Sequence, residues 1–212
     1  MIALLNVQPY FSSACRPPRG IANPVIAMEV VRNVEEVDAI LGEAPSPDRE
    51  AMRIKQYVDF GFIAAYVGLF IVVRGLVGGL AGWAVAVCGA AAGVADVIEN
   101  IGILRVVNVD LRHTTQVMID AIRIPSLIKW TLVWVALLLL ARFFLRQHGW
   151  LPRAVGVANL AAAVLGFYGL YDNAFLVMAG LPMLVGLFGV AALGVGPGFQ
   201  PAAGLPPGSG AG

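Results

Sequence analysis

Between Val155 and Val195 the chain runs some forty residues with Asp172 as its one formally charged side chain. At about 1.5 Å per residue such a stretch would be about 60 Å long as a single helix, roughly twice the apolar thickness of a bilayer. It therefore has to turn once, and "GLYDNAF" offers the polar residues for that turn. The reading is two spans, about Val155 to Leu170 and Ala174 to Leu193, with Gly180 and Pro182 kinking the second. The alternative keeps one broken helix turning at "AGLPM", which lowers the total from five spans to four.

The rest of the chain has the same character. Hydrophobic residues make up 59% and charged residues 13% of the 212 positions, whereas charged residues alone form about a quarter of a soluble domain. A formal charge of +1 with no dense Lys/Arg run excludes nucleic acid as a partner, since phosphate binding needs a clustered positive field. Membrane lipids are the expected surroundings. Cys15 and Cys88 stand in unrelated settings, which gives no disulfide framework and no zinc spacing; Cys88, inside an apolar run, reads as a small buried hydrophobe.

Residues 1–22 read as an irregular leader. "MIALLNVQPYFSSACRPPRG" lacks a basic start and is a poor signal peptide, so the first membrane helix is expected to direct insertion itself. Residues 23–42 read as one short amphipathic helix, with Asn23 as N-cap, Pro24 in the first turn and Gly42 as the stop. Ile26, Val30, Val34, Val37 and Leu41 form its apolar stripe, leaving Glu29 and the other acids elsewhere. Being acidic, this helix is expected to pack on the protein's own face, on a partner or on a second copy rather than on anionic lipid.

Residues 47–195 read as the transmembrane bundle. Ser46 caps a first helix from about Pro47 to Val77 that enters the membrane near Tyr57, and Asp48 and Glu50 suit its dipole. The second span covers about Leu80 to Val107, with Gly89 and Gly93 as a small-xxx-small packing face. A polar connection, "NVDLRHTTQVMIDAIRIPS", holds His113 as a loop histidine, and the third span runs from about Pro125 to Phe144. Trp130 and Trp134 read there as interfacial aromatics, Arg142 and Arg146 as snorkelling ends. Residues 196–212, rich in Gly and Pro, read as a disordered tail. Arg49, Arg53, Lys55, Arg105, Arg112 and Arg123 favour a cytoplasmic N-terminus, diluted by Arg142, Arg146 and Arg153 on the other side.

The stretch "GVADVIENIGILRVV" then becomes the chemical question. Asp96 and Glu99 lie about 10 to 15 Å inside the second span along its axis, and a carboxylate at that depth needs a partner. Asp96, Glu99 and Asn100 share a helix face. Asp59 and Tyr66 mark a face of the first span, Lys129 lies early in the third, and Asp172 and Asn173 close the fourth on the same side. The expected arrangement pairs Lys129 with Asp96 or Glu99, lets Asn100 and Tyr66 bond the remaining oxygens, and leaves Asp59 to Arg123 or water. Acids then outnumber the lysine, so one carboxyl is expected to hold its proton.

Several chemistries fit such a group. It can be interhelical glue, a proton or ion path, or a small-molecule or lipid-headgroup site. A metal site from Asp96, Glu99 and Asp172 would have hard oxygen ligands but no intramembrane histidine. A Ser126–Lys129 dyad is the one hydrolytic constellation to consider, and no Ser/His/Asp set or metalloprotease motif accompanies it.

The order of features, "MEVVRNVEEVDAILG", "VDFGFIAAY", "ADVIEN" and then "LIKW", resembles a loosely defined group of bacterial multi-pass membrane proteins over about residues 28–135. That resemblance implies Asp59, Tyr66, Asp96, Glu99, Asn100 and Lys129 as a shared polar core and carries no established activity. The expectation is thus an all-α polytopic transmembrane helix bundle in a bacterial inner membrane. It is expected to be noncatalytic, structural or accessory, with no cofactor or metal, and a proton-linked transporter-like or ligand-binding protein is the alternative. A membrane-embedded enzyme ranks third.

Overall fold

The computed structural model describes residues 10–18, 21–171 and 173–195, the side chains of 171–177 and 194–195 excepted. Asp172, the Asn173 side chain and the tail 196–212 lie outside the described residues. Every regular element among the described residues is helical: α1 Pro24–Glu29, α2 Val34–Leu41, α3 Pro47–Val77, α4 Gly79–Val107, a 3-10 turn at Leu111–His113, α5 Gln116–Leu145, α6 Trp150–Tyr171 and α7 Asn173–Val195. Four of these, α3 to α6, are long and apolar enough to cross a membrane, and α7 adds a further apolar stretch, Met178–Leu193. The chain is a polytopic helical bundle.

Cap chemistry sets the joints. Ser46 Oγ accepts from the Arg49 amide at 3.2 Å and Pro47 follows it in the first turn of α3. Gly42 and Gly78 end α2 and α3 at φ 64° and 69°, a left-handed conformation that costs glycine nothing. At the other end of the pair α3–α4, Arg49 is 3% exposed and its guanidinium donates to the Val106, Val107 and Val109 carbonyls. The first two belong to the last turn of α4, where carbonyls run out of helical donors, and the third follows just after it. Arg49 is therefore a structural cap as well as one of the basic residues on this side.

Glycines record an antiparallel register between successive spans. A Cβ on Gly89 would lie 2.5 Å from Phe70, and one on Gly93 would overlap Val67, so the small-residue face of α4 is pressed on α3. Gly166 of α6 faces the Trp134 ring of α5 in the same way, while Gly186 and Gly189 of α7 face Asn159 and Val155 of α6. Backbones approach closely where the side chain is absent, which is how apolar helices gain contact without a hydrophobic force between them.

Three expectations change. The single amphipathic helix over 23–42 is two helices, because Asn33 begins α2 as a second N-cap: its Oδ1 accepts from the Glu36 amide at 2.9 Å, while Glu36 accepts from the Arg32 amide at 2.8 Å. This reciprocal pair is close to a capping box. Its apolar stripe is also incomplete, since Ile26 and Val34 are half-buried while Ala27, Met28, Glu29, Val30 and Val31 form a continuous buried run. The third span starts at Gln116 rather than near Pro125, so most of the expected polar connection is helical and Pro125 sits inside α5. Proline at 125 removes the donor to the Ala121 carbonyl, and that carbonyl lies 3.2 Å from where a Gly102 Cβ would be. The alternative turn at "AGLPM" is not formed: α7 continues through it with Pro182 inside, so the last two apolar stretches are separate helices, as the five-span reading expects.

The leader is tied down where it is described. Ser12 donates from its amide and its hydroxyl to the two Asp48 oxygens at 2.5 and 2.7 Å, and the Arg16 amide donates to the Ala39 carbonyl at 2.7 Å. Cys88 is half-buried rather than fully enclosed. Cys15 is also half-buried, and burial with Asp48 nearby pushes its thiol up to about 11. Thiolate is the reactive form, so maleimide labelling of Cys15 near neutral pH is expected to run on the order of a hundredfold slower than a free thiol; Asp48→Asn should speed it. Gly93→Leu is expected to cost about 1–3 kcal/mol in thermal melts. Gly68→Ala, where a Cβ meets nothing within 4 Å, should leave stability within about 1 kcal/mol.

Candidate functional site

Depth is set by helix lengths. Arg74, stacked on Trp83 with its guanidinium 3.5 Å from the ring centroid, and exposed Arg142 mark the far end of the bundle. Lys129 lies thirteen residues from Arg142 in α5, about 20 Å along the axis. The polar cluster therefore occupies the half of the bundle nearer the N-terminal segments.

Its centre is the Lys129 ammonium, 5% exposed. Lys129 Nζ lies 2.8 Å from Glu99 Oε2, 3.0 Å from Asp96 Oδ1 and 3.3 Å from Glu29 Oε2. Tyr66 donates its hydroxyl proton to the other Asp96 oxygen at 3.0 Å, and Trp130 Nε1 donates to Glu29 Oε2 at 2.8 Å. Asn100 Nδ2 donates to Asp59 Oδ2 at 2.9 Å. Four elements thus converge: α1 through Glu29, α3 through Tyr66 and Asp59, α4 through Asp96, Glu99 and Asn100, and α5 through Lys129 and Trp130.

The expected partners are largely brought together, with rearrangements. Lys129 engages both Asp96 and Glu99 instead of one of them, because the two lie one turn apart on the face of α4 that meets α5. Asn100 turns to Asp59 instead of bonding Asp96 or Glu99, and takes the role expected of Arg123. Trp130 and Trp134 are not interfacial: they are 8% and 1% exposed and stacked with centroids 5.1 Å apart. The indole of Trp130 anchors Glu29, and Gly166 leaves room for the ring of Trp134.

Glu29 is the residue that sequence reasoning put on the wrong face. It is 8% exposed at the end of α1, inside the run "IAMEVV". A lone carboxylate flanked on both sides by apolar residues was the available signal, hidden by the assumption of one continuous stripe. Burial pushes the Glu29 carboxyl above its ordinary value; Lys129 opposes that shift and Asp96 adds to it.

A cavity of about 50 Å³ adjoins the cluster, lined by Glu29, Asp59, Asp96 and Lys129, by the rings of Phe62, Tyr66, Phe70 and Trp130, and by Met183 and Leu187 of α7. This is room for a few water molecules. Among the described residues no group of three His, Cys, Asp or Glu is disposed to hold a metal ion, and the Lys129 ammonium stands between the acids where a cation would sit. Ser126 Oγ is buried without a hydrogen-bond partner among the described residues. Lys129 Nζ lies against carboxylates and makes no hydrogen bond to Ser126, so the Ser126–Lys129 pair is not assembled as a nucleophile and base.

Comparison of the chain with protein-family models, curated proteins and solved structures finds no match. The chemistry of the cluster therefore carries the functional reading.

The Tyr66 bond to Asp96 is expected to contribute about 1 kcal/mol. A double-mutant cycle with Tyr66→Phe and Asp96→Asn should return a coupling of that order in chemical or thermal denaturation, and additive effects would mean that the bond contributes nothing.

Proposed function

We propose that this chain is a noncatalytic integral membrane protein, structural or accessory, whose Lys129 cluster orders the bundle and fastens the N-terminal segment to it. The supporting observation is that one ammonium lies within 3.3 Å of carboxylates from α1 and α4 while projecting from α5. A buried ion group that joins several helices selects one packing among several that apolar helices could adopt. The proposed setting is a bacterial inner membrane with the N-terminal side cytoplasmic. The excess of Arg49, Arg53, Lys55, Arg105, Arg112 and Arg123 on that side over Arg74, Arg142, Arg146 and Arg153 on the other supports the orientation. Lipid is the proposed neighbour of exposed Val87, Val94, Val157, Val164 and Val185. The exposed acids Glu35 and Asp38 of α2 remain available to a protein partner or a second copy.

A second reading, a proton-linked transporter-like or small-molecule-binding protein, is favoured by the cavity with its surplus acids. The two readings separate in thermal stability of the detergent-purified protein across pH, divalent ions and lipids. For the architectural reading, Lys129→Met is expected to cost about 3–5 kcal/mol, because it strands several buried carboxylates. Glu99→Gln or Asp96→Asn should cost less, since two acids still face the ammonium. A Lys129→Met protein as stable as wild type, or a wild type stabilised by one ligand alone, would overturn the architectural reading in favour of a binding site.

A further inference from the structure

We propose that residues 21–31 form a pH-sensitive plug, seated on the Lys129 cluster while Glu29 is protonated and released from the bundle as Glu29 ionises. This inference rests on the proposed architectural role of the cluster and adds a movable part to it.

The charges around Glu29 motivate the idea. Lys129 and the Trp130 indole face it from α5, Asp96 and Glu99 approach from α4, and Asp59 lines the same cavity from α3. The α7 residues at that cavity, Met183 and Leu187, are uncharged, and on its own segment the nearest charge is exposed Arg32. Asp96 and Glu99 lie closer to the ammonium than Glu29 does, so three carboxyl groups share one cation and Glu29 is the most distant of them. A third ionised carboxylate at this place is thus buried with a shared partner and several like charges. In the neutral form Glu29 still accepts from Trp130 and no surplus charge is buried.

Of these acids, only Glu29 belongs to a segment outside the long helices. Asp59, Asp96 and Glu99 cannot leave without unpacking α3 or α4. By contrast α1 is six residues long, too short to hold as an isolated helix, so its structure depends on being docked. Its neighbours are anchored independently: Ser12 to Asp48 and the Arg16 amide to the Ala39 carbonyl before it, the Arg32 carbonyl to Gln116 Nε2 at 3.1 Å after it. Residues 30–33 between α1 and α2 are non-helical and provide a joint. The segment can lift while both flanks stay attached.

The sign follows from proton linkage. Docking raises the Glu29 carboxyl above its ordinary value, so docking takes up a proton; the seated form is favoured at low pH and loses its advantage as pH rises through the docked value. Hydrogen exchange of the full chain in lipid nanodiscs, scanned from about pH 5 to 9 and expressed relative to the intrinsic exchange rate at each pH, reads this directly. The reporting amides include Ala27, which donates to the Asn23 carbonyl at 2.9 Å. Protection over 25–31 is expected to fall by up to about tenfold per pH unit through the transition, with protection over 85–95 in α4 unchanged. Glu29→Gln should abolish the pH dependence, and Asp96→Asn, which removes one competing acid, should reduce the total loss. Protection over 25–31 that is flat or rises with pH, or an identical slope in Glu29→Gln, overturns the plug. A flat profile with the stability cost of Lys129→Met intact would overturn the plug alone and leave the architectural reading standing.

Discussion

An ammonium cannot be buried among apolar helices without carboxylates beside it, and the structure is arranged around that requirement at Lys129. Lys129 stands on α5, so its partners must come from whatever packs there. Asp96 and Glu99 of α4 supply them from the neighbouring span, and Glu29 supplies another from a segment preceding the bundle. The remaining polar atoms are then drawn in: Tyr66 bonds Asp96, Trp130 bonds Glu29, and Asn100 bonds Asp59. Each bond answers a desolvation cost that the previous one left.

The ion group works only because the helices come close enough. Gly89 and Gly93 let α3 approach α4 until Tyr66 reaches Asp96, and Gly102 lets α4 approach α5 where the Ala121 carbonyl has lost its helical donor to Pro125. Small residues and buried charge are therefore two parts of one packing solution: the first brings the backbones together, and the second selects the register in which they stop. Arg49 performs a related service at the near end of the bundle, tying the C-terminal end of α4 and the residues just after it to the first turn of α3.

Much of this was legible locally. Long apolar runs marked the spans, Ser46 and Asn23 marked helix starts, and helical spacing placed Asp96, Glu99 and Asn100 on one face. Other features depended on competition that single-segment patterns do not show. Asn33 and Glu36 form a capping pair inside what reads as one amphipathic stripe, so the stripe divides. Pro125 reads as a boundary, yet α5 passes through it because its preceding turns pack against α4. Trp130 and Trp134 read as interfacial aromatics because their spacing from the span's start is visible, whereas the glycine of α6 and the carboxylate of α1 that make room for them are far away in sequence.

What the sequence by itself determined was the class of the fold and the need for a charge partner: apolar length dictates membrane-crossing helices, and acids deep in α4 demand a cation. Which groups would meet was decided only in three dimensions. Trp130 and Glu29 are 101 positions apart, and nothing in the local period of either helix encodes their encounter. It depends on how α1 seats against the bundle, and that seating is the joint result of the buried apolar run around Glu29 and the contacts of its carboxyl with the Trp130 indole and the Lys129 ammonium.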